Sequence, residues 1–323
     1  MTTVPVIDLA PALVGSTVDR LRVARQMDDA CTEIGFFTIR GHGVSKPMID
    51  ALRERASTFF NLELEEKLKA QPDDDSIPRG YRALGFDSLS RGNAVNAPGD
   101  LKEYFHFGRE SWPSDPYYTS DKGRRFFFPN RWPERPAGFA DAAAAYYAAM
   151  ERLTGQMMEL AALALGVDEH FFADKIDRHI TAMRINFYPA LKEPPQAGQM
   201  RAGPHTDYGL LTILNGENTP GGLEVCTRSG DWVSVETEPE TFVVNIGDLL
   251  MRWSNDRWVS NVHRVANPPS DSGPTTQRIS IAFFHHPNYD AEVECIASPG
   301  EAKYPPVFSG DYRDLKYLQT RVA

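Results

Sequence analysis

The sequence predicts an α+β chain with a mainly β core, a double-sheet jelly roll or another β-sandwich, flanked by helices. Two observations lead there. Up to Gly166 the clearest apolar spacing is helical, as in Tyr146, Met150, Leu153, Met157 and Leu160. From Ile180 onward the texture changes to short β-branched and aromatic runs with turn punctuation such as Ser229-Gly230-Asp231.

Each element has its own signal. Val4 to Leu9 alternates briefly and reads as an edge strand, and Ser16 is placed to cap a helix running to about Ile34. Gly35 to Ile39 is a short strand ending in the turn Gly41-His42-Gly43. Ser45 caps a second helix carrying Met48, Leu52, Ala56 and Phe59, and Asp73-Asp74-Asp75 with Pro78 breaks the pattern. Residues 79 to 135 lack periodicity and read as a loop set or wrapping segment. From Pro136 a scaffold helix runs to Gly166, where glycine stops it, and Asp168 caps a short helix through Phe172. The expected strands are Ala182–Tyr188, Leu210–Leu214, Gly222–Val225, Trp232–Val235, Phe242–Ile246, Trp258–Val265, Gln277–Phe284 and Ala291–Ile296. A helical tail follows Pro305-Pro306, from Tyr304 to Val322. The expected division is an amino-terminal segment, 1–115, whose helices pack on a core, 116–323, the two forming one compact unit.

Composition narrows the function. A net charge of −10 argues against a nucleic-acid partner. No run approaches the length that crosses a bilayer, and Met1 to Ile7 has no signal-peptide pattern, so a cytoplasmic protein is expected. Cys31, Cys226 and Cys295 form neither a disulfide framework nor a zinc pattern, and Cys31 and Cys295 read as buried thiols.

The chemistry is carried by His205-Thr206-Asp207 and His263. In a strand, residues two apart project to the same side, so His205 and Asp207 can reach one ion, with His263 in a strand-like segment as third ligand. Two imidazoles and one carboxylate suit a ferrous ion with open positions. An H-x-D alone is far more readily a surface histidine beside a turn aspartate. The downstream Arg278-Ile279-Ser280 sets a guanidinium and a hydroxyl on one strand face, a match for a carboxylate, and Asn186 and Tyr188 present two polar tips on another.

Taken in order, these residues resemble the isopenicillin N synthase-like branch of the iron(II)- and 2-oxoglutarate-dependent dioxygenases. The likeness runs through Gly35-Phe36-Phe37, Arg79-Gly80-Tyr81, Asn130-Arg131-Trp132-Pro133, Asn186-x-Tyr188-Pro189, His205-Thr206-Asp207-Tyr208-Gly209, Gly247-Asp248-Leu249, His263-Arg264-Val265 and Arg278-x-Ser280. It implies a double-stranded β-helix core, the jelly roll. It also implies iron on His205, Asp207 and His263, and the distal carboxylate of 2-oxoglutarate on Arg278 and Ser280, with Asn186 and Tyr188 assisting. It further implies a small-molecule substrate, dioxygen as the oxidant and ascorbate as a supporting reductant. Because Asp207 is present, the resemblance implies hydroxylation, desaturation or ring closure rather than halogenation.

Candidates for the substrate wall are Tyr104, Phe105, Phe107, Arg184, Phe283 and His285, each of which could instead be core or surface. His285-His286 could equally be an exposed strand-end pair. Two other readings stay open here: a same-family oxidase whose Arg278 and Ser280 hold the substrate's own carboxylate, and a non-catalytic metal-binding jelly-roll module.

Overall fold

The computed structural model describes residues 3–89, 98–191, 193–238, 240–269, 277–296 and 300–320. Strand β1 (Val6–Asp8) leads into the short α1 (Ala10–Val14) and then α2 (Thr17–Glu33). Ser16 accepts from the backbone of Asp19 while Asp19 reaches back to Ser16, a reciprocal cap that satisfies two otherwise unpaired amides. Gly35 then turns the chain into β2 (Phe36–Arg40) at φ 72°, and a Cβ there would sit 2.0 Å from the carbonyl of Val259, so only glycine fits. Helices α3 (Lys46–Phe60) and α4 (Leu64–Leu68) follow.

The segment expected to be irregular holds regular structure. It contains β3 (Gly80–Arg82), β4 (Glu103–Gly108), α5 (Pro116–Thr119) and α6 (Asp121–Arg124). Every residue of β4 is buried, so it lacks the polar alternation that marks a half-exposed strand. Scaffold helix α7 (Phe139–Leu165) ends at Gly166, φ 77°, as its sequence predicts. Asp168 caps only a turn, accepting from His170, and the helix α8 begins later, at Ala173–Ile176.

Strand β5 (Ala182–Tyr188) begins the second half, followed by β6 (Ala202–His205), β7 (Leu211–Asn215), β8 (Leu223–Cys226), β9 (Trp232–Ser234) and β10 (Phe242–Ile246). A helix the sequence reading missed, α9 (Asp248–Trp253), comes next. Of the strand expected over Trp258–Val265 only β11 (His263–Val265) forms. Trp258 is instead fully buried, donating its indole N–H to Asp28 of α2 at 2.8 Å. Strand β12 (Arg278–His285), the two-residue β13 (Glu292–Val293) and β14 (Val307–Phe308), and α10 (Ser309–Thr320) complete the chain. Cys31 is buried as expected, whereas Cys295 is only partly covered.

The long sheet runs β1-β2-β10-β7-β12-β5-β4-β3 and the short one β6-β11-β8-β9, a mixed helix-and-sheet architecture with the jelly-roll core that the strand spacing predicted. All pairs in these two sheets are antiparallel except β1 with β2, and β1 is an edge strand. Strands from residues 1–115 sit at both ends of the long sheet, so that segment is built into the core sheet.

The sheet has two unlike faces. Phe105 and Phe107 of β4, Ile185 and Phe187 of β5 and Phe283 of β12 point into the main apolar core with α3 and α7. Ring contacts at 5.0 Å (Phe105–Phe139) and 5.2 Å (Tyr147–Phe283) tie this face to α7. The alternate residues line a cavity roofed by the short sheet and α10. No helix among the described residues is long and apolar enough to cross a membrane.

Candidate active site

Strand period decides what reaches the cavity. Along β12 the residues Arg278, Ser280, Ala282 and Phe284 line it, followed by His286 just beyond the strand. Along β5 it is Ala182, Arg184, Asn186 and Tyr188, and along β4 Tyr104 and His106. The β4–β5 register sets Tyr104 opposite Asn186 and His106 opposite Arg184. The β5–β12 register sets Asn186 opposite Ser280 and Tyr188 opposite Arg278.

His205, Asp207 and His263 meet at the same cavity, with one potential ligand atom from each lying within 4.8 Å of the others. His205 ends β6 and Asp207 lies beyond it, so the pairing is made at a strand end; His263 faces His205 across the β6–β11 register. Each imidazole is oriented by the backbone carbonyl two residues before it. His205 Nδ1 donates to the carbonyl of Gly203 (2.8 Å) and His263 Nδ1 to that of Asn261 (3.1 Å). A carbonyl only accepts, so both protons sit on Nδ1 and both Nε2 lone pairs are left for an ion. The Nε2 atoms lie 3.9 and 3.8 Å from the Asp207 carboxylate.

Electrostatics favour the same state. Burial, and then the neighbouring His263, pushes His205 well below the usual imidazole range, so it is neutral at neutral pH. Burial alone would raise the Asp207 carboxyl. Its surroundings, including the hydrogen bonds donated by Thr212 and Asn245, outweigh it and hold Asp207 below the usual carboxyl value, so it is ionised. Thr212 Oγ1 (2.6 Å) and Asn245 Nδ2 (2.8 Å) both donate to Oδ2, which leaves Oδ1 without a hydrogen bond among the described residues. A buried pair beneath β6 adds support: Asp100 binds Lys102 at 2.5 Å and accepts from the amide of Gly203, two residues before His205.

The other end of the cavity is built for an anion. Arg278 is 1% exposed, and its Nη1 is buried with no hydrogen-bond partner. Its Nε donates to the carbonyl of Glu217 (3.3 Å), and the carboxylate of Glu217 is held by Arg53 of α3 (2.7 Å) and by the amide of Ile279 (2.8 Å). The Tyr188 ring lies 5.3 Å from the guanidinium, and Asn186 Nδ2 donates to Ser280 Oγ at 3.4 Å. An orphaned guanidinium N–H in a cavity that also holds a two-imidazole, one-carboxylate cluster fits a chelating dicarboxylate and a ferrous ion.

The expected substrate wall divides by strand face. Tyr104 and Arg184 line the cavity. Phe105, Phe107 and Phe283 lie on the opposite face, in the core against α7. His285 is also turned away, bonding Thr181 Oγ1 at 3.0 Å, with its ring stacked on Phe283. Adjacent strand residues cannot share a face, so Phe283 and His285 were excluded once Arg278 and Ser280 were placed inward. His285 and His286 are both buried, not an exposed pair. Of the pair His285-His286 it is His286 that lines the cavity, and the sequence reading missed Thr212, Asn245 and His106, together with Arg79, Arg82 and Arg313. Parity along β4 and β12 points to His106 and His286; Arg313 is brought in only by the docking of α10.

Residues 180–287 match the family model of the 2OG-Fe(II) oxygenase superfamily, and residues 4–135 match that of the non-haem dioxygenase in morphine synthesis N-terminal region. Homoarginine-6-hydroxylase 2-ODD-233 of Oryza sativa subsp. japonica is 33% identical over 98% of this chain and 96% of its own length. Validamycin A dioxygenase of Streptomyces hygroscopicus subsp. limoneus is 32% identical over 98% of this chain and 86% of its own. The crystal structure of a full-length Neurospora crassa protein in complex with alpha-KG superposes with a TM-score of 0.86 at 30% identity, covering 98% of this chain and 96% of that one.

Proposed function

The chain belongs to the 2-oxoglutarate- and iron(II)-dependent oxygenase superfamily, and from that premise we propose that His205, Asp207 and His263 hold its iron and that Arg278 and Ser280 hold its 2-oxoglutarate. It is an oxidoreductase of that class, with Fe(II) and 2-oxoglutarate as its cofactors. When bound together, these groups would supply the activation of dioxygen, with 2-oxoglutarate oxidised to succinate and carbon dioxide. The protein's residues do the rest. His205 and His263 present Nε2 and Asp207 presents Oδ1, fixed by the bonds described above. Arg278 Nη1 and Ser280 Oγ take the far carboxylate, Tyr188 covers the guanidinium, and Asn186 orients Ser280.

A small organic substrate is hydroxylated on the remaining side of the cavity, between Tyr104, Arg184, Phe284 and His286. The three unpaired cysteines suit a reducing compartment such as the cytoplasm.

The observation that carries this reading is the juxtaposition, in one cavity, of the three-donor cluster with the buried, unpartnered Nη1 of Arg278. The test is anaerobic addition of Fe(II) and then 2-oxoglutarate, monitored for the weak visible charge-transfer band. The band is expected in the wild type and is lost in Arg278→Ala with Fe(II) still bound. Iron binding without a band would transfer Arg278 to the substrate's own carboxylate, as in an oxidase that uses no 2-oxoglutarate.

A further inference from the structure

Beyond Arg278, four more arginines line the same cavity: Arg79 and Arg82 at β3, Arg184 on β5 and Arg313 on α10. Few carboxylates answer them. Arg184 meets Asp87 at 3.3 Å, and Arg82 meets Asp75 at 3.4 Å, although the Asp75 side chain is 70% exposed. Arg79 and Arg313 are buried, and among the described residues neither has an ion-pair partner. Arg79 donates to the carbonyl of Pro78, and Arg313 rests on the rings of Phe126 (5.3 Å) and Tyr317 (4.9 Å).

Donors are left over as well. Arg79 Nε and Arg184 Nε are buried without a hydrogen-bond partner, as is the ring nitrogen His106 Nε2. His106 shows how closely the charges gather. Burial first, and then Arg184, Arg79, Arg313 and Arg82 together, hold its imidazole far below the ordinary range, so it adds no charge of its own. Burial and Arg313 likewise pull Arg79 down to about 10, which still leaves it cationic at neutral pH.

A buried guanidinium without a counter-ion is costly, and a protein of net charge −10 has acidic groups to spare. Leaving this group unneutralised makes physical sense where the counter-ion arrives from solution. Planar guanidinium forks match carboxylate and phosphate oxygens. Tyr104, under the Arg184 guanidinium at 4.1 Å, and Phe284 offer flat apolar surface beside them.

We propose that the molecule oxidised by this enzyme is a small organic acid whose anionic group is taken by Arg79 and Arg313, with Arg184 and Tyr104 beneath its body. This rests on the assignment of Arg278 to 2-oxoglutarate, which leaves these arginines for a second anion. Because Arg313 belongs to α10, the carboxy-terminal helix supplies part of the specificity, and the acid closes the site by binding both it and the β3 segment.

The experiment uses the anaerobic Fe(II)–2-oxoglutarate enzyme, titrated with matched pairs: phenylacetate and phenylacetamide, indole-3-acetate and indole-3-acetamide, hexanoate and hexanamide, phenyl phosphate and phenol. Perturbation of the visible band reports binding, and succinate release in air reports turnover. At least one anion should bind tenfold or more tightly than its neutral partner. Arg79→Gln and Arg313→Gln should each remove most of that preference while the affinity for 2-oxoglutarate stays within twofold. Arg313→Gln, on a peripheral helix, carries the test if Arg79→Gln fails to fold. A band without any anion preference, or a preference that survives both substitutions, overturns the proposal. Absence of the band itself would overturn instead the assignment of the 2-oxoglutarate site.

Discussion

Replacing Thr212 by valine isolates one hydrogen bond at the candidate iron site. The exchange keeps a β-branched side chain in β7, so the strand and its packing are retained, and removes only the hydroxyl that donates to Asp207 Oδ2 at 2.6 Å. Thr212 is 5% exposed and Asp207 8%, so water does not readily replace the lost donor. A hydrogen bond to a buried charged group contributes about 1.5–3 kcal/mol. At about 1.4 kcal/mol per tenfold change, that caps the loss of Fe(II) affinity at roughly 10- to 100-fold. Asn245 still holds Oδ2 from β10 at 2.8 Å, so the carboxylate keeps one anchor and the loss should fall in the lower half of that range. Fe(II) affinity would be measured anaerobically by competition with a chromophoric chelator, with circular dichroism as the control for fold. An affinity within twofold of wild type in a folded variant would refute the argument that Thr212 aims Asp207 at the metal.

Three further outcomes are expected. Phe283→Ala should destabilise the protein by about 3–5 kcal/mol in urea unfolding, because this side chain is wholly buried against α7. It should leave 2-oxoglutarate affinity unchanged, and a change in affinity without loss of stability would return Phe283 to the cavity wall. Phe105→Ala should behave alike, being equally buried against Phe59 and Phe139. A third outcome concerns pH. Burial first, and then His179 and His286, hold His285 well below the usual imidazole value, so the unfolded chain binds its proton before the folded one does. Stability from this group is therefore intact above about pH 6.5 and is lost as pH falls below it. His285→Gln, which can still bond Thr181 but cannot protonate, should flatten the fall in urea stability between about pH 6.5 and 5 by up to about 1.4 kcal/mol per pH unit. An unchanged slope would show that His285 is already accessible to protons.

Much of this architecture is written locally. Strands β5 and β10 form with the boundaries their β-branched runs suggest, and α2 begins where Ser16 can cap it. The parts that were not legible share a physical cause, since their form depends on what covers them. Strand β4, Glu103–Gly108, carries Glu103 and His106 in a fully buried strand, with Glu103 neutralised by Lys67 at 2.7 Å from α4. No pattern within those six residues announces that ion pair. Trp258 looks like a strand residue, but Asn255 and Asp256 adopt positive φ just before it, and the indole is captured by Asp28 more than two hundred positions earlier. The metal-donor cluster was readable because His205 and Asp207 lie two residues apart and the downstream His263, Arg278 and Ser280 supply the context that the spacing alone lacks. Of the cavity's further arginines Arg184 was named from its strand, but Arg79 and Arg313 were not, because one precedes β3 and the other lies on α10, more than two hundred positions away.

That contrast says where the enzyme's two tasks reside. The proposed iron ligands come from β6, β11 and the chain just after β6, and the proposed 2-oxoglutarate ligands from β5 and β12, all antiparallel strands with fixed register. Such strands position atoms well and tolerate little change, since a slip of one residue would turn Arg278 and Ser280 into the core. The arginine-rich end is framed differently. Arg79 precedes a three-residue strand, and Arg313 sits on a helix whose exposed Leu315 and Leu318 show that only one side of it is packed. Elements held by fewer contacts can shift and re-dock without disturbing the sheet. On the proposed assignments, oxygen activation is fixed by the jelly roll, while the choice of molecule is left to the edge strands and the carboxy-terminal helix. The physical consequence is that substitutions at Arg79 or Arg313 should change which acid is bound, whereas substitutions at Thr212 or Arg278 should weaken the enzyme toward every substrate alike.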